Sequence, residues 1–443
     1  MSSIVRDRPV GLLRVLGLAF GLAVVVGGAV GQGILRSPGP VAAAVGSAGL
    51  ILALWALGGL LAATDACAAV ELAASHPCAG GPYAFARRAF GPFAGTMIGW
   101  TDWFQGAVAL AFLAVVFGEY LGEAGIPSPL PVGATAMLLL AAIAALHWRG
   151  TRIGGASQVL ATLLKAALLG GIVLALVLAP AAATPIHAAP LGPVTTVAGV
   201  VVALRLIFTT YAGWNASCYF CEELHAPERN VVRATFLGIA FITALYLAIN
   251  AALLAVMSPA DMAGSKLAVG DALQRALGGS SGLVIAVIAL VSVGAIANLY
   301  AMQFTRVVFA MARDRALPAV LGTVSRGGTP RTAMLATLGA AIVFASSGSY
   351  ESLVAISAVP AAAINLVVNL AAIRLRSIEP ALTRPWSMPL YPAPALLGAA
   401  INSALIAAMV WEDPRDSGLA LTLLGGVAAI YALRGRLVRR APA

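Results

Sequence analysis

The sequence predicts an all-α integral membrane protein with about twelve transmembrane helices, ten of which form two repeats of five helices. Two observations carry this prediction. Of the 443 residues, 60% are hydrophobic and only 10% are charged, and a mean hydropathy of +0.95 implies more apolar surface than a soluble domain can hide from water. Apolar stretches of roughly 20 residues, the length that crosses a bilayer core, also recur along the whole chain.

The predicted spans follow one another with short loops, and no linker or low-complexity tract divides them. They cover residues 13–36, 43–70, 93–121, 130–147, 156–179, 197–221, 232–257, 281–311, 329–347, 351–374, 394–411 and 417–434. The first span follows Arg6, Arg8 and Arg14, yet it is too long for a signal peptide and lacks a small-residue cleavage site before its polar break. We therefore expect it to stay attached as the first helix.

The net charge of +10 reflects topology. With a cytoplasmic N-terminus, most of the 27 Lys and Arg residues fall on the cytoplasmic side, as the positive-inside rule requires. We expect a multi-pass protein of the cytoplasmic (inner) membrane, with both termini in the cytoplasm and no nucleic-acid partner. We also expect no cofactor and no metal, because the CxxC pair of Cys218 and Cys221 lies within a predicted helix and has no second pair.

Two spans carry a break at mid-membrane depth. The first contains a glutamine among four glycines: Gly27, Gly28, Gly31, Gln32 and Gly33. The sixth contains Tyr211, Ala212, Gly213 and Trp214. Glycine weakens a helix, and matching breaks in two halves of opposite orientation indicate a binding site near the bilayer midplane. The alternative is close helix packing through small residues.

Each break opens a block of five spans, and this arrangement divides the chain. We predict a cytoplasmic tail at residues 1–12 and an inverted-repeat transport core at 13–374, with repeats 13–179 and 197–374. The last two helices lie at 375–434, and a second cytoplasmic tail at 435–443.

Unwound backbone inside a membrane is tolerated only where it lines protein or a watered cavity. The half-helix that begins after Gly31 offers free N–H groups, which suit a carboxylate. The half-helices that end near Ala29 and at residues 209–212 offer free carbonyls, which suit an ammonium. One zwitterion satisfies both sets, so we expect an amino acid as the substrate.

Four stretches of the chain carry a family resemblance. They are Gly27 to Leu35, Glu71 to Pro92, Tyr211 to Ala234, and Ser292 to Pro330. With these motifs in this order, the chain resembles the amino acid, polyamine and organocation superfamily, and most of all its L-amino-acid-transporter branch. The resemblance implies an alternating-access permease with discontinuous first and sixth helices.

The resemblance also implies roles for individual residues. The substrate carboxylate would meet the N–H groups of Gln32, Gly33 and Ile34, and the amino group would meet carbonyls of the sixth span and of Ala29. The further candidates are Thr209, Thr210 and Ala212 for those carbonyls and Asn215 for the substrate or the broken helix. Independently of the resemblance, Trp103, Thr209, Asn298 and Leu299 are candidates to line the side-chain pocket. Gly31 and Gly213 form the breaks. Two positions depart from the family: Gln32 replaces a serine or threonine, and Thr209 stands where an aromatic gate is usual.

Lys165 lies in the fifth span, a costly place for an ammonium. It either snorkels toward the cytoplasm or, as the resemblance implies, fills the place of a sodium ion. Its partners would then be carbonyls near the first break and the Ser292 hydroxyl. We expect sodium-independent transport, by exchange or by proton coupling, and that choice stays open.

Other charged residues lead to further expectations. Asp102 would titrate, recognise a cationic side chain or pair structurally, and Arg205 would line a vestibule or pair with an acid such as Glu119. Glu222 and Glu223 would pair with arginines at an intracellular gate.

Other function classes differ in how well they fit. An intramembrane enzyme needs a nucleophile with a base or clustered metal ligands, and the spans contain neither. A polyamine or organic-cation transporter and a non-transporting nutrient sensor stay open. Residues 119–131 contain no cysteine, so we expect no obligate disulfide-linked subunit. The expected partners are the substrate, the lipid bilayer and protons.

Overall fold

The computed structural model describes residues 11–123, 130–179, 196–265, 267–278, 281–347 and 350–440. Residues 1–10 and 441–443 of the predicted tails and the side chain of Gln32 lie outside this description. Every regular element in the described ranges is a helix, and an isolated β-bridge joins Leu16 to Leu224. The all-α prediction is therefore confirmed for these residues.

Seventeen α-helices follow one another along the described chain. They are α1 Leu18–Ala29, α2 Gln32–Arg36, α3 Pro38–Val45, α4 Ala48–Ser75, α5 Pro82–Phe90, α6 Pro92–Glu123, α7 Val132–Trp148, α8 Thr151–Leu178, α9 Val197–Thr210, α10 Pro227–Val256, α11 Pro259–Ala263, α12 Ala268–Leu277, α13 Ser281–Arg313, α14 Arg331–Ser347, α15 Tyr350–Ile378, α16 Ala393–Glu412 and α17 Pro414–Arg440. The 3-10 helix Trp214–Phe220 lies between α9 and α10, and the 3-10 helix Ala319–Gly322 lies between α13 and α14.

Nine helical stretches of the described residues are long and apolar enough to cross a membrane. They are Leu18–Arg36, Ala48–Ser75, Pro92–Gly122, Thr151–Leu178, Val197–Phe220, Pro227–Val256, Ser281–Arg313, Val359–Ile378 and Ala393–Glu412. Shorter apolar helices lie at the fourth, ninth and twelfth predicted spans: Val132–Trp148, Arg331–Ser346 and Ser417–Ala429. The multi-span architecture is thus confirmed, while the count of twelve and the inverted repeat stay predictions.

The first predicted span is interrupted where its glycines cluster. α1 ends at Ala29, the backbone becomes extended at Val30 with φ −76° and ψ 104°, and α2 starts after Gly31. Glycine tolerates such departures from helical geometry without the steric cost that a side chain adds. The helical hydrogen bonds therefore stop inside the span and leave backbone groups free for other partners.

The sixth predicted span is interrupted in a similar way. α9 ends at Thr210, a turn follows, and the chain continues as the 3-10 helix Trp214–Phe220. Gly213 has φ 106°, a conformation that favours glycine because it has no Cβ. This positive φ directs the chain out of α9 and into the second half of the span.

α1 lies in the interior of the molecule. It packs against α8, α10, α13 and the 3-10 helix Trp214–Phe220, and Val24 and Val25 have no exposed surface. On α8, by contrast, Leu160 and Leu163 are 69% and 63% exposed. Exposed leucines are costly in water but suit lipid, so the outer face of α8 fits a bilayer and shields the broken α1–α2 segment.

Arg205 pairs with an acid, which is one of the two predicted alternatives, but the acid is not the suggested Glu119. The Arg205 guanidinium forms an ion pair with Glu412, at the end of α16. The hydropathy pattern gives the depth of a charge in the membrane, but it does not say which helix packs beside it. Long-range packing decided this partner.

Candidate functional site

The two helix breaks meet through their backbones. A Cβ on Gly213 would lie 2.6 Å from the carbonyl carbon of Gly28, and a Cβ on Gly28 would lie 3.0 Å from the carbonyl oxygen of Gly213. Backbone atoms cannot move aside as a flexible side chain can. Gly213 therefore has room only for glycine, a side chain on Gly28 would be crowded, and the last turn of α1 lies in direct contact with the second break.

The predicted carboxylate-binding N–H groups lie beside the end of α9. Gln32, Gly33 and Ile34 form the first turn of α2, and a Cβ on Gly33 would lie 2.9 Å from Thr210 Cγ2. The Thr210 hydroxyl oxygen lies 2.8 Å from the Ser37 hydroxyl oxygen, just after α2. The structure thus brings together the N–H groups of one break and the last turn before the other.

The carbonyl groups of the site share a tyrosine that the sequence reasoning missed. The Tyr246 hydroxyl, on α10, lies 2.9 Å from the carbonyl oxygen of Ala29 and 3.1 Å from that of Thr210. A phenol has a single hydrogen to donate, so it cannot fully satisfy both carbonyls. A buried tyrosine needs a polar partner, and its position in an otherwise apolar span was the available signal.

The remaining candidates on the sixth span lie around the break. Thr209 is exposed, and its hydroxyl donates to the carbonyls of Arg205 and Leu206 in its own helix. Ala212 is also exposed, and Asn215 is half-buried in the first turn of the 3-10 helix. Ala212 and Asn215 line the cavity described below, whereas the Thr209 side chain is bonded to its own helix.

Lys165 reaches the first break from α8. Its ammonium donates to the carbonyl oxygens of Gly27 at 2.8 Å and Val30 at 2.5 Å, and the residue is 1% exposed. These are carbonyls that the interruption of α1 leaves without helical partners. One turn earlier on α8, the Thr162 hydroxyl donates to the Ala23 carbonyl at 2.9 Å. The ammonium therefore binds the last turn of α1 and the unwound residue Val30, and it links α8 to them.

Two predicted site residues, Ser292 and Asn298, lie on α13. The Asn298 amide donates to Gln158 Oε1 at 2.7 Å, and its oxygen lies 2.8 Å from His147 Nε2. This amide therefore links α13 to α7 and α8, and its polar atoms are engaged there. Ser292 is 1% exposed in α13, and the two hydrogen bonds of Lys165 to described residues go to Gly27 and Val30.

A small cavity opens against the second break. It has a volume of about 90 Å³ and is lined by Gly213, Asn215, Asp102, Tyr219 and Gln303, among others. Asp102, on α6, has no exposed surface, and the Tyr219 hydroxyl donates to its Oδ1 at 3.0 Å. The cavity thus lies next to the substrate position that the breaks define.

Ion pairs hold together one end of the molecule, which we term the arginine-rich end (Arg87, Arg306 and Arg313). Arg306 makes two hydrogen bonds of 2.9 Å to the Glu223 carboxylate, and both side chains are almost fully buried. Arg313 donates to Glu222 at 2.7 Å. The predicted pairing of both glutamates with arginines is confirmed.

A wider cavity of about 520 Å³ opens at this end, beside Cys78, Arg87 and Arg313. Cys78 follows the end of α4, and burial raises the pKa of its thiol to about 11. A thiol with this pKa is almost entirely protonated at neutral pH and therefore reacts slowly. Cys67, Cys218 and Cys221 are buried.

Comparison with known proteins gives the context of this site. The profile of the family described as "Amino acid permease" matches residues 10–428. The Asc-type amino acid transporter 1 of Mus musculus is 29% identical over 360 residues, which are 78% of this chain and 67% of that protein. Residues 10–428, which the family profile matches, include both helix breaks and the arginine-rich end.

Two further relatives cover more of the chain. The b(0,+)-type amino acid transporter 1 of Mus musculus is 28% identical over 388 residues, or 86% of this chain and 80% of that protein. The serine/threonine exchanger SteT of Bacillus subtilis (strain 168) is 27% identical over 444 residues, or 96% of this chain and 98% of that protein. These relatives are named as transporters, which supports a transport role and not an enzymatic one.

Proposed function

Since this chain belongs to the amino acid permease family, we propose that it moves an L-amino acid across the cytoplasmic membrane by alternating access. In this proposal twelve helices cross the membrane and both termini lie in the cytoplasm. Residues 13–374 form the inverted-repeat core and carry the site. Transport is independent of sodium and proceeds by exchange or by proton coupling.

The observation that carries the proposal is the backbone contact between the two breaks. Free N–H groups of Gln32, Gly33 and Ile34 face a carboxylate, while the carbonyls around Ala29 and Thr210 face an ammonium. The Tyr246 hydroxyl offers one hydrogen to two carbonyls, so an ammonium with three hydrogens has acceptors left. Every α-amino acid carries these two charged groups, and side-chain selection is left to the surrounding residues.

Lys165 supports sodium independence. Its ammonium donates to Gly27 and Val30, two carbonyls of the kind that coordinate a cation at a helix break. A sodium ion at this position would lie beside a fixed positive charge. The unwound segment is instead held by a residue that is present at every stage of the cycle.

The names of two relatives guide the choice of substrate. One relative is named a serine/threonine exchanger, and another is an Asc-type amino acid transporter. We therefore take L-serine and L-threonine as the first substrates to measure, and exchange as the first mode.

The test uses the purified chain in proteoliposomes. Radiolabelled L-serine enters liposomes that are loaded with unlabelled L-serine or left empty, with sodium replaced by choline in a parallel set, and with or without an imposed proton gradient. We expect saturable uptake that is unchanged by choline and abolished by Lys165→Ala. Leu164→Ala is the matched control, because the neighbouring Leu164 is exposed on the outer face of α8.

Each outcome bears on one part of the proposal. A steep sodium dependence would contradict the role of Lys165. Uptake that is faster into loaded liposomes supports exchange, and uptake driven by the proton gradient into empty ones supports symport. If the protein binds an amino acid but transports none of the twenty, it is a sensor. If ethanolamine, which is decarboxylated serine, competes as well as serine does, the carboxylate role of α2 is wrong.

A further inference from the structure

The small cavity beside the second break contains a carboxylate that is only half satisfied. Asp102 Oδ1 accepts the Tyr219 hydroxyl hydrogen at 3.0 Å, but Oδ2 has no hydrogen-bond partner among the described residues. The nearby Gln105 amide, one turn further along α6, also approaches the carboxylate. Asp102 has no exposed surface, so bulk water does not compensate for the missing partner.

The cavity lacks a positive charge to balance Asp102. The described residues that line it are apolar residues, tyrosines, amides and Asp102 itself, with no lysine or arginine. A buried carboxylate is stable only with a partner that replaces its lost hydration. The last carbonyls of α9 point toward the same break, so the local potential is negative and favours a cation over a neutral group.

Another buried carboxylate, Asp65 on α4, also has an Oδ2 without a hydrogen-bond partner among the described residues, but its surroundings differ. Its Oδ1 accepts hydrogens from the amides of Asn369 at 2.8 Å and Asn402 at 3.2 Å. A Cβ on Gly398 would lie 2.5 Å from that oxygen, so the surroundings of Asp65 are closely packed. Asp65 thus ties α4 to α15 and α16, whereas Asp102 adjoins an open volume.

We propose that Asp102 binds a positively charged nitrogen on the substrate side chain, so that the cavity is a subsite for amino acids with short basic side chains. This proposal rests on the proposed function, because the breaks must hold the carboxylate and the α-amino group. The cavity volume of about 90 Å³ suits a chain of two or three carbons with a terminal nitrogen. The free Oδ2 is the acceptor, and the Tyr219 hydroxyl fixes the orientation of the carboxylate.

The test compares two substrates of equal size that differ in charge. L-2,4-diaminobutyrate ends in an ammonium and L-homoserine in a hydroxyl, on the same two-carbon side chain. Competition against the uptake of labelled substrate and ligand-induced thermal stabilisation are both measured. For the wild type we expect a preference for diaminobutyrate of about tenfold or more, since a charge-assisted hydrogen bond is roughly twice as strong as a neutral one.

Asp102→Asn removes the charge but keeps an oxygen that accepts the Tyr219 hydroxyl hydrogen. We expect this variant to lose the preference for diaminobutyrate while it still takes homoserine. Asp65→Asn is the matched control, because it makes the same change at a buried carboxylate away from the cavity, and we expect it to keep the wild-type preference. Melting temperatures of the variants without ligand separate misfolding from altered selection.

The remaining outcomes count against the proposal. If Asp102→Asn weakened the binding of both substrates equally, Asp102 would contact the α-amino group. If the preference for diaminobutyrate were unchanged, Asp102 would not contact the substrate. A wild type that prefers homoserine would also overturn it. Failure of the proposed function looks different, since neither substrate would then move, while thermal stabilisation would still report on the subsite.

Discussion

Two side chains, Tyr246 and Lys165, fix the unwound backbone from opposite sides. Tyr246 donates toward the carbonyls of Ala29 and Thr210, and Lys165 donates to those of Gly27 and Val30. Without them, buried carbonyls would be left unpaired, which costs about 1–3 kcal/mol for each group. These two residues therefore allow a helix to stay open in the middle of the protein.

Replacing Tyr246 with phenylalanine tests the first of these contacts. Tyr246→Phe removes only the hydroxyl, and with it one donated hydrogen. We expect substrate binding to weaken by about 1 kcal/mol, which is a rise in KM of roughly fivefold, with a smaller effect on kcat. Uptake kinetics in proteoliposomes measure both constants.

Tyr391→Phe is the control for this change. The Tyr391 ring packs on Arg376, a contact that phenylalanine keeps, and it lies away from the breaks. If Tyr246→Phe leaves KM at the wild-type value, the hydroxyl does not shape the site.

At the level of helices, the contact between Gly28 and Gly213 sets how closely the two broken segments approach. The carbonyl groups of one break lie within reach of the other because neither residue has a side chain. Thr162 and Lys165 on α8 donate hydrogen bonds to carbonyls of α1, and these bonds fix the rotation of α1 about its axis. The geometry of the site therefore comes from helix packing more than from particular side-chain donors.

Gly213→Ala is expected to be severe. The positive φ alone costs about 1–3 kcal/mol for a residue with a Cβ, and the new methyl would meet the Gly28 backbone at 2.6 Å. We expect loss of uptake and a lower melting temperature in detergent.

The matched control is Gly170→Ala on α8, where a Cβ meets nothing within 4 Å. Alanine there should be neutral or stabilising by up to about 1 kcal/mol, because it is the better helix former. Equal damage from both substitutions would show that the contact between the breaks has no special role.

Glycine patterns and hydropathy predicted where the helices break and how deep Lys165 lies, because both are local properties of one span. They did not predict Tyr246, since an aromatic residue in an apolar span reads as ordinary core. They predicted an acidic partner for Arg205 but did not identify Glu412, and they did not predict the hydrogen bonds of the Asn298 amide to α7 and α8. These positions depend on which helices are neighbours, and a single sequence does not contain that information.

Across the whole molecule, the two ends differ in how firmly they are held. The arginine-rich end has the buried bidentate pair of Arg306 and Glu223 and the pair of Arg313 and Glu222. The β-bridge between Leu16 and Leu224 also joins the segment before α1 to this end of the molecule. At the other end, Arg205 and Glu412 are more exposed than Arg306 and Glu223, and exposed pairs contribute little. We therefore expect opening of the arginine-rich end to be the costlier half of the transport cycle.

Cys78 provides a reporter of that opening. Glu223→Gln leaves Arg306 buried without its counter-charge, which costs about 3–5 kcal/mol in the closed form and favours a hydrated, open form. Because burial raises the Cys78 pKa to about 11, hydration should bring the pKa back toward its ordinary value. Maleimide labelling at pH 7.5 should then speed up, and its pH profile should shift to lower pH.

Two controls accompany this measurement. Cys78→Ala should abolish the labelling, and Glu412→Gln, at the opposite end, should leave the rate unchanged. A Glu223→Gln variant that is folded but labels at the wild-type rate would rule out the ion pair as the closure.

The glycine contact between the breaks also has a practical consequence for protein engineering. Main-chain atoms bind their ligand group whatever the side chains are, and a side chain at position 28 or 213 would meet backbone, so a library aimed at new cargo gains little from diversity at these two positions. Variation is better concentrated on the cavity wall, at Gln105, Gln303 and Asn365. Selection on such a library would change which side chain is accepted and leave the handling of the shared zwitterion intact.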